Sequence, residues 1–372
     1  MSKVSVKKVS TYSPELLDKA VEEQFSSLGI RDDIRPGMRV TIKPNLLTGR
    51  KPDFAITSHP ELIMAIIRWL KKEGITKITV ADSPGGLYTP SALKAIYSVC
   101  GYGMFEEHLN YDCSFREIHT PESFKTRSFN IITPLLETDY IINVAKLKTH
   151  SMTGVSAGIK NMFGSIPGLQ KPEMHYRNPD LDDFSNMLLE LSLTAKPDLT
   201  VIDAIDGMEG NGPSGGDKRH LGLIFASKNV YAQDWEAVKI MGLAPESISM
   251  LRQAREKGLF DPQETELVGD AVAPASPPFK LPDTKNLDFT GFLPAFLKKP
   301  AGFIMRKLLK PLPNVKPEKC IGCGKCAESC PQQIITIIDR KAIINKKTCI
   351  SCFCCQEMCP AHAIEVKRKL KF

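Results

Sequence analysis

Cysteine spacing near the C-terminus is typical of ligands to an inorganic cluster. Nine of the eleven cysteines lie between Cys320 and Cys359. They form two similar runs, CIGCGKCAESCP and CISCFCCQEMCP, and each run ends in a cysteine followed by proline. A loop with this spacing can supply three thiolates to one 4Fe–4S cluster, while the fourth cysteine ligates the other cluster of the pair.

The repeat therefore predicts two 4Fe–4S clusters. We expect the first cluster to be held by Cys320, Cys323, Cys326 and Cys359, and the second by Cys349, Cys352, Cys355 and Cys330. Zinc knuckles are the alternative, but they usually place two CxxC pairs farther apart and do not need the proline. Cys354 stands where the first run has Lys325, and we expect it to be a spare thiol beside the second cluster.

The residues around these runs predict a small α+β unit. The segment IITIIDRKAIINKK has two apolar stretches around Asp339 and Arg340, which is typical of a β-hairpin, and AIEV predicts a further strand. Residues 316–372 resemble the bacterial two-cluster ferredoxin. They contain 11 Lys/Arg and 5 Asp/Glu, so a basic rim would attract an acidic redox partner protein such as an acidic ferredoxin. The alternative is that this charge only keeps the region soluble.

A second group of polar residues follows predicted strands of the first 270 residues. Lys43 and Asn45 come after one strand, and Asp82 after the next. In the segment DYIINVAKLKTH, Lys146, Lys148 and His150 alternate along the end of a buried strand, and Lys160 and Asn161 begin the helix-like stretch beyond it. Asp203 and Asp206 end a later strand. Because ligands of open α/β sheets bind outside the carboxyl ends of the strands, these side chains could converge on one site.

The chemistry of that site would suit an anion. We expect Lys43, Asn45, Asp82, Lys146, Lys160 and Asn161 to bind an anionic substrate or cofactor, and Lys148, His150 and Asp203 to be catalytic. His150 would donate a proton near neutral pH, and the aspartates would orient a hydroxyl or a metal. The alternative is a solvated rim of lysines that pair with nearby carboxylates.

The elements that must position these residues alternate between strand-like and helix-like segments. This rhythm predicts an α/β domain over residues 1–270 with a three-layer, mostly parallel sheet. Residues 271–315 are proline-rich and predict a linker. Its second half alternates apolar and basic residues. We expect it to pack on the α/β domain and to fix the ferredoxin-like domain near the cleft, rather than to lie on a membrane. Residues 316–372 form the ferredoxin-like domain.

Composition and missing motifs narrow the function. Hydrophobic residues make up 42% and charged residues 24% of the chain, as in ordinary globular proteins. There is no P-loop, no well-placed dinucleotide fingerprint and no nucleophile elbow. No apolar run has the length of a membrane span, and no secretory signal opens the sequence, so we expect a cytoplasmic protein with no transmembrane segment and no nucleic-acid partner.

The chain contains a series of distinctive blocks, in this order: IKPN, VADSPGG, AKLKTH, GIKNMFG, VIDAIDGMEGNGPSGG and then QDW. With these blocks the chain resembles the family catalogued as domain of unknown function 362, which is often fused to a two-cluster ferredoxin in anaerobic bacteria and archaea. The resemblance implies an iron–sulfur protein of anaerobic metabolism, and it supplies no substrate.

The sequence thus favours an iron–sulfur oxidoreductase that passes electrons from its clusters to an anionic molecule bound in the α/β domain. The alternative is an electron carrier or cofactor-delivery partner without its own catalysis. A third hypothesis is a non-redox enzyme with structural or oxygen-sensing clusters.

Overall fold

The computed structural model describes residues 1–284 and 311–367. In residues 1–284 the strands are β1 (Ser2–Lys8), β2 (Arg39–Lys43), β3 (Lys77–Val80), β4 (Phe115–His119), β5 (Ser128–Ile132), β6 (Tyr140–His150), β7 (Gly154–Ser156), β8 (Leu199–Glu209), β9 (Asp217–Ser227) and β10 (Thr265–Gly269). Except for the separate hairpin of β4 and β5, they form one sheet in the order β10-β1-β9-β8-β6-β2-β3, with β7 paired to the end of β6.

Parallel pairing dominates this sheet, as predicted. β3, β2, β6 and β8 are parallel neighbours, and β1 is parallel to β10. β9 runs antiparallel between β1 and β8, and β7 runs antiparallel to β6. The carboxyl ends of β2, β3 and β6 therefore meet at one edge of the sheet.

Helices cover both faces of the sheet. They are α1 (Pro14–Ser27), α2 (Ile30–Asp33), α3 (Pro60–Lys72), α4 (Pro90–Val99), α5 (Gly158–Asn161), α6 (Gln170–Arg177), α7 (Leu181–Ala195), α8 (Val230–Ile240) and α9 (Ser249–Glu256). One apolar core packs α1, α3 and α4 on the sheet, and the other packs α7, α8 and α9 on its opposite face. The predicted three layers are confirmed.

Strand β6 shows why the layers form. All of its residues are buried, and successive side chains enter opposite cores. Ile141 and Ala145 join the core under α7 to α9, whereas Ile142 and Val144 join the core under α1, α3 and α4. A strand buried on both faces reads as a continuous apolar run, which is why the sequence revealed it. The N-terminal strand β1, helix α1 and helix α6 were not predicted.

The C-terminal region is a small α+β unit. Strand β11 (Leu312–Val315) pairs with β14 (Ile364–Lys367), and β12 (Ile335–Ile338) pairs with β13 (Lys341–Ile344), all antiparallel. The predicted hairpin turn at Asp339 and Arg340 is confirmed, and both residues have positive φ, as a two-residue hairpin turn requires. Short helices α10 (Lys325–Glu328) and α11 (Cys354–Glu357) follow the cysteine loops.

The connecting segment is described only as far as residue 284. Phe279 is buried in the core of the α/β domain, and Gly210 N–H donates to the Lys280 carbonyl at 2.7 Å. The predicted packing of the second half of the linker falls mostly on residues 285–310, outside the described residues. Within the described ranges, no helix is long and apolar enough to span a membrane.

Candidate functional site

A cavity of about 80 Å³ lies where the carboxyl ends of β2, β3 and β6 approach the C-terminal region. The α/β domain contributes most of its charged and polar lining: Asn45, Asp82, Ser83, Lys148, His150, Lys160, Asn161, Lys171 and His175. The C-terminal region closes the cavity with Ser329, Cys354, Glu357 and Met358. The cavity is therefore shared between the predicted anion site and the predicted cluster region.

The sequence-predicted site residues divide into two groups in the structure. Those that line the cavity are Asn45, Asp82, Lys148, His150, Lys160 and Asn161. Lys43, Lys146 and Asp203 do not line it; they lie one layer further in, where they make buried ion pairs. The catalytic and binding roles given to these residues stay predictions.

Lys43 and Asp82 form the first buried pair. The Lys43 Nζ lies 2.7 Å from Asp82 Oδ1, and both side chains are almost fully buried. Asp82 Oδ2 also accepts the backbone N–H of Leu46 at 2.9 Å. Gly164 packs against this pair, because a Cβ there would lie 2.1 Å from Asp82 Oδ1 and 2.5 Å from Lys43 Nζ. Lys43 thus holds Asp82 in the cavity wall.

Lys146 and Asp203 form the second pair, with Nζ and Oδ2 2.9 Å apart. Tyr12 joins them: its hydroxyl donates to Asp203 Oδ1 at 2.8 Å and accepts from Lys146 Nζ at 2.8 Å. The backbone N–H of His59 donates to Asp203 Oδ2 at 3.0 Å, and the rings of His59 and Tyr12 stack at 3.6 Å. Protein groups therefore bind both oxygens of Asp203.

Lys148 faces neutral oxygens instead of a carboxylate. Its Nζ donates to Asn45 Oδ1 and to the Ile56 carbonyl, each at 2.7 Å. Burial, reinforced by the charges of Lys160 and Lys146, lowers the pKa of Lys148 to about 7. An anion in the cavity would restore its proton, because it would replace the missing negative partner.

Lys160 is the cation with the fewest partners. Within residues 1–284 and 311–367, its ammonium has no hydrogen-bond acceptor and no ion-pair partner. It lies 4.6 Å from the centroid of the Phe163 ring and 6.0 Å from that of Phe184. Helix α5 fixes its position, because Asp234 accepts the backbone N–H groups of Gly158 and Ile159, each at 2.8 Å. Lys160 is thus presented to a ligand of the cavity.

His150 links the two regions through Glu357. The His150 Nδ1 accepts the backbone N–H of Met152 at 3.1 Å, so the proton of the neutral ring lies on Nε2, which is 3.1 Å from Glu357 Oε1. Burial lowers the pKa of His150, although Glu357 acts against this. Despite burial, which acts the other way, His150 and Lys160 hold the pKa of Glu357 below its usual range.

Lys171 and His175 line the cavity but were missed in the sequence. They lie on α6, away from any strand end, and no periodic pattern marks the segment QKPEMHYR. The Lys171 Nζ donates to the Ser83 and Ile166 carbonyls, both at 2.7 Å, and burial lowers its pKa to about 7. The His175 ring stacks on Phe184 at 4.2 Å, so it extends the aromatic wall behind Lys160.

Further contacts dock the C-terminal region on this edge of the sheet. Ser151 Oγ donates to Gln356 Oε1 at 3.2 Å, and Ser214 Oγ donates to the Glu357 carbonyl at 3.1 Å. Met358 packs on Gly85, where an added Cβ would lie 2.4 Å from its Sδ. The glycines of VADSPGG thus leave room for the C-terminal region.

The structure brings the four cysteines of the first predicted set together, while the assignment of ligands to two clusters stays a prediction. Cys320, Cys323, Cys326 and Cys359 together line one small cavity. Burial and then the thiolates of Cys359, Cys323 and Cys320 raise the pKa of Cys326 to about 11. Burial and the thiolates of Cys352, Cys349, Cys330 and Cys326 likewise raise the pKa of Cys355.

This donor set fits iron–sulfur clusters. Crowded thiols in a buried place resist ionisation, and bound iron relieves that repulsion. Backbone N–H groups also point at the sulfurs: Ala342 donates to Cys320 Sγ at 3.4 Å and Ala363 to Cys359 Sγ at 3.2 Å. Such hydrogen bonds stabilise the charge of cysteine-ligated clusters.

Cys354 takes a different position from its neighbour Cys355. It lines the large cavity, whereas Cys355 faces the other cysteines of its set. A hydrogen bond to Cys352, followed by burial, raises the pKa of the Cys354 thiol. The register of the repeat, with Cys355 as the ligand, agrees with this arrangement.

Fold and cysteine loops together define an iron–sulfur protein with an α/β domain and a ferredoxin-type 4Fe–4S domain. Residues 40–239 match the family model described as Domain of unknown function (DUF362), and residues 319–363 match that of a 4Fe-4S dicluster domain. The chain belongs to the DUF362 family.

Two curated proteins show how far the similarity extends. Thylakoid-associated protein sll1697 of Synechocystis sp. is 32% identical over 242 residues, which cover 64% of this chain and 74% of that protein. One component of the Na(+)-translocating ferredoxin:NAD(+) oxidoreductase complex of Acetobacterium woodii is 59% identical over 27 residues, 7% of this chain and 8% of that protein.

Two solved structures are similar at low identity. The lactate racemase apoprotein from Thermoanaerobacterium thermosaccharolyticum aligns with a TM-score of 0.42 and 13% identity, over 64% of this chain and 56% of that one. A Thermotoga maritima protein from a structural genomics consortium aligns with a TM-score of 0.39 and 12% identity, over 62% and 59%.

Proposed function

We propose that this protein is an iron–sulfur oxidoreductase that passes electrons to an anionic small molecule bound in the cavity between its two regions. The observation that carries the proposal is the composition of the cavity wall. The lysines of one region and the loop between cysteines 352 and 355 of the other face the same space. A bound anion would touch both.

The cysteine sets are the proposed ligands of two 4Fe–4S clusters. Cys320, Cys323, Cys326 and Cys359 would hold the first, and Cys330, Cys349, Cys352 and Cys355 the second. Such clusters accept and release single electrons. The second set borders the cavity through Cys354 and Ser329, whereas Cys323 of the first set is exposed.

The cavity residues have separate proposed roles. Lys160 and Lys148 bind the negative group of the substrate, and Asn45 and Asn161 fix its orientation. His150, whose Nε2 lies 3.1 Å from Glu357 Oε1, holds that carboxylate in the cavity wall. Asp82 and Asp203 hold Lys43 and Lys146 and thereby shape the wall.

The electrons would come from a separate redox protein, and protons from solvent balance them. The exposed end of the first cysteine set suits such an encounter, since Ile321, which is 56% exposed, lies between Cys320 and Cys323. Exposed lysines 319 and 325 would favour an acidic partner. A carrier without its own catalysis would not need the buried cationic cavity.

Reoxidation of the reduced protein tests this proposal. Full-length protein is purified without oxygen, reduced with dithionite, freed of excess reductant and mixed with small carboxylates and phosphate esters. Visible absorbance follows the clusters. We expect at least one acceptor to reoxidise the protein with saturation, and Lys148→Met and His150→Gln to slow this by about tenfold or more.

Lys94→Gln is the matched control, because Lys94 is exposed on α4, away from the cavity. Iron content and thermal stability are compared for every variant. The proposal fails if each acceptor reoxidises wild type, Lys148→Met and His150→Gln at the same rate. Saturable electron transfer only to an added protein would instead support the carrier.

A further inference from the structure

We infer that Lys160 couples the cavity to the neighbouring cysteine loop: its ammonium raises the reduction potential of the cluster proposed at Cys330, Cys349, Cys352 and Cys355, and an anion bound to Lys160 lowers that potential. The inference rests on the proposed function for the clusters and the anion site, but not on any catalytic turnover.

Lys160 and the second cysteine loop lie on facing walls of the same cavity. Lys160 stands on α5 of the α/β domain, and Cys354 stands on the facing loop of the C-terminal region. Cys354 lies in sequence between the proposed ligands Cys352 and Cys355 and hydrogen-bonds to Cys352. The ammonium therefore faces the loop that would carry the second cluster.

Burial lowers the pKa of Lys160, and the charges of Glu357 and Cys354 act against this, so Lys160 lies close enough to the cysteine loop to interact with it electrostatically. The other cavity cations direct their donors to protein oxygens: Lys148 to Asn45 and Ile56, and Lys171 to backbone carbonyls. Glu357, the acid in the same cavity, lies 3.1 Å from His150 Nε2 and makes no ion pair with Lys160, although its charge still acts on the Lys160 ammonium. Lys160 instead rests on the aromatic rings of Phe163 and Phe184, which neutralise no charge.

A cation in such a dry place affects a nearby redox centre strongly. Reduction adds one negative charge to a cluster, and a neighbouring ammonium stabilises that added charge because the surrounding dielectric constant is low. An anion on Lys160 cancels the effect. By linkage, the reduced protein then binds the anion more weakly than the oxidised protein does, by the same factor.

The effect should be confined to one cluster. The first cysteine set lines its own small cavity, where no lysine is among the described lining residues, and its Cys323 is exposed. Solvent screens charges near an exposed centre more than near a buried one. We expect two reduction steps in a redox titration, and we expect the charge of Lys160 to shift the reduction potential of only one of them.

A dye-mediated redox titration of the full-length, anaerobically purified protein tests the inference without any substrate. Electron paramagnetic resonance follows each cluster. We expect Lys160→Gln to disfavour reduction of one cluster by about tenfold, which is about 59 mV for a one-electron step, and to leave the other unchanged. Lys160→Arg should restore most of the potential, and Lys94→Gln should leave both clusters as in wild type.

A second measurement uses wild-type protein and therefore does not depend on how the variants fold. Sulfate, added at constant ionic strength, should lower the reduction potential of the same cluster in the wild-type protein. As a cross-check, sulfate should leave both reduction potentials of Lys160→Gln unchanged. The inference is overturned if Lys160→Gln with full iron content keeps both potentials, if both clusters shift equally, or if sulfate leaves the wild-type potentials unchanged. A failure of the reoxidation experiment with a shifted potential here would reject the proposed function alone.

Discussion

The lysines near the cavity differ in how their charge is compensated. Lys43 and Lys146 are paired with buried aspartates, at 2.7 and 2.9 Å. Lys148 has neutral oxygen acceptors, and Lys160 has aromatic rings. Their number in the sequence therefore overstates the positive charge offered to a ligand. Of these four, only Lys148 and Lys160 line the cavity, and within the described residues neither makes an ion pair, although the charge of Glu357 acts on both.

Lys148 predicts a pH dependence of anion binding. Its pKa is lowered to about 7 by burial, so the free protein carries a neutral Lys148 above this pH. An anion favours the charged lysine, and binding above pH 7 must take up a proton. We expect sulfate affinity to be constant below about pH 7 and to fall by up to about tenfold per pH unit above it. Isothermal titration calorimetry from about pH 6 to about pH 9 measures this.

Two variants separate Lys148 from other groups in that experiment. Lys148→Met should bind sulfate more weakly at low pH and lose most of the decline above pH 7. Lys94→Gln should keep the wild-type profile, because its side chain is exposed and remote. An unchanged decline in Lys148→Met would assign the titration to another group, of which Lys171 is the first choice.

Loss of the Asp203 carboxylate should greatly lower the free energy of unfolding. Asp203→Asn leaves the Lys146 ammonium buried without its carboxylate, which typically costs about 3–5 kcal/mol of unfolding free energy. The thermal denaturation midpoint should fall by roughly 6 °C or more. Asp18→Asn is the control, because the Asp18–Arg68 pair is partly exposed and worth about 0–1 kcal/mol. A stable Asp203→Asn protein that no longer reduces its acceptor would instead support the catalytic role predicted from the sequence.

At the scale of elements, the sequence predicted which edge of the sheet carries the site, but not which side chains at that edge face the cavity. Strand periodicity located the ends of β2, β3 and β6, and parallel strands bring such ends together. It could not separate Lys148, which faces the cavity, from Lys146, which pairs with Asp203. Both lie on the same face of β6, so only the partners supplied by other strands distinguish them.

Helix α5 depends on a contact that links two sequence blocks. Asp234 of the QDW block accepts the N–H groups of Gly158 and Ile159 in GIKN. Asp234→Ala leaves two buried donors without acceptors, and we expect a loss of about 1–3 kcal/mol in unfolding free energy. Hydrogen exchange of residues 158–161 should accelerate, because the turn that carries Lys160 loses its anchor.

Asp234→Asn refines this test. The amide keeps one acceptor oxygen, so its effect should be smaller than that of alanine. Asp182→Ala serves as the control, since Asp182 is exposed and bonds mainly to Ser249 and Arg252 on α9. If the amides of residues 158–161 exchanged as slowly in Asp234→Ala as in wild type, packing alone would hold α5 in position.

At the scale of the whole molecule, the site depends on the contact between the two regions. Each region was predicted separately, because periodicity and cysteine spacing are local signals. The linker composition predicted that the ferredoxin-like domain lies near the cleft. The docking of α11 on β6 through Glu357 and His150 was not predicted, since no local pattern encodes a contact between residues so far apart. Lys171 and His175 were missed for the same reason.

Gly85 and Met358 allow that contact to be tested. A Cβ on Gly85 would lie 2.4 Å from Met358 Sδ, and Gly85 is not among the glycines with positive φ. Gly85→Ala therefore needs no left-handed backbone, and its effect reports mainly on packing against Met358. Because the end of the flexible Met358 side chain can shift, we expect overpacking of only about 1 kcal/mol, which weakens docking of the C-terminal region. Hydrogen exchange should accelerate both in residues 354–358 and in residues 85–86.

Adding Met358→Ala removes the clash, so the amides of these residues should exchange more slowly in the double variant than in Gly85→Ala, despite a smaller interface. Wild-type exchange in both Gly85→Ala and the double variant, which loses the Met358 side-chain contact, would mean that the two regions are not docked in solution through this face. The cavity between them would then lack its C-terminal wall.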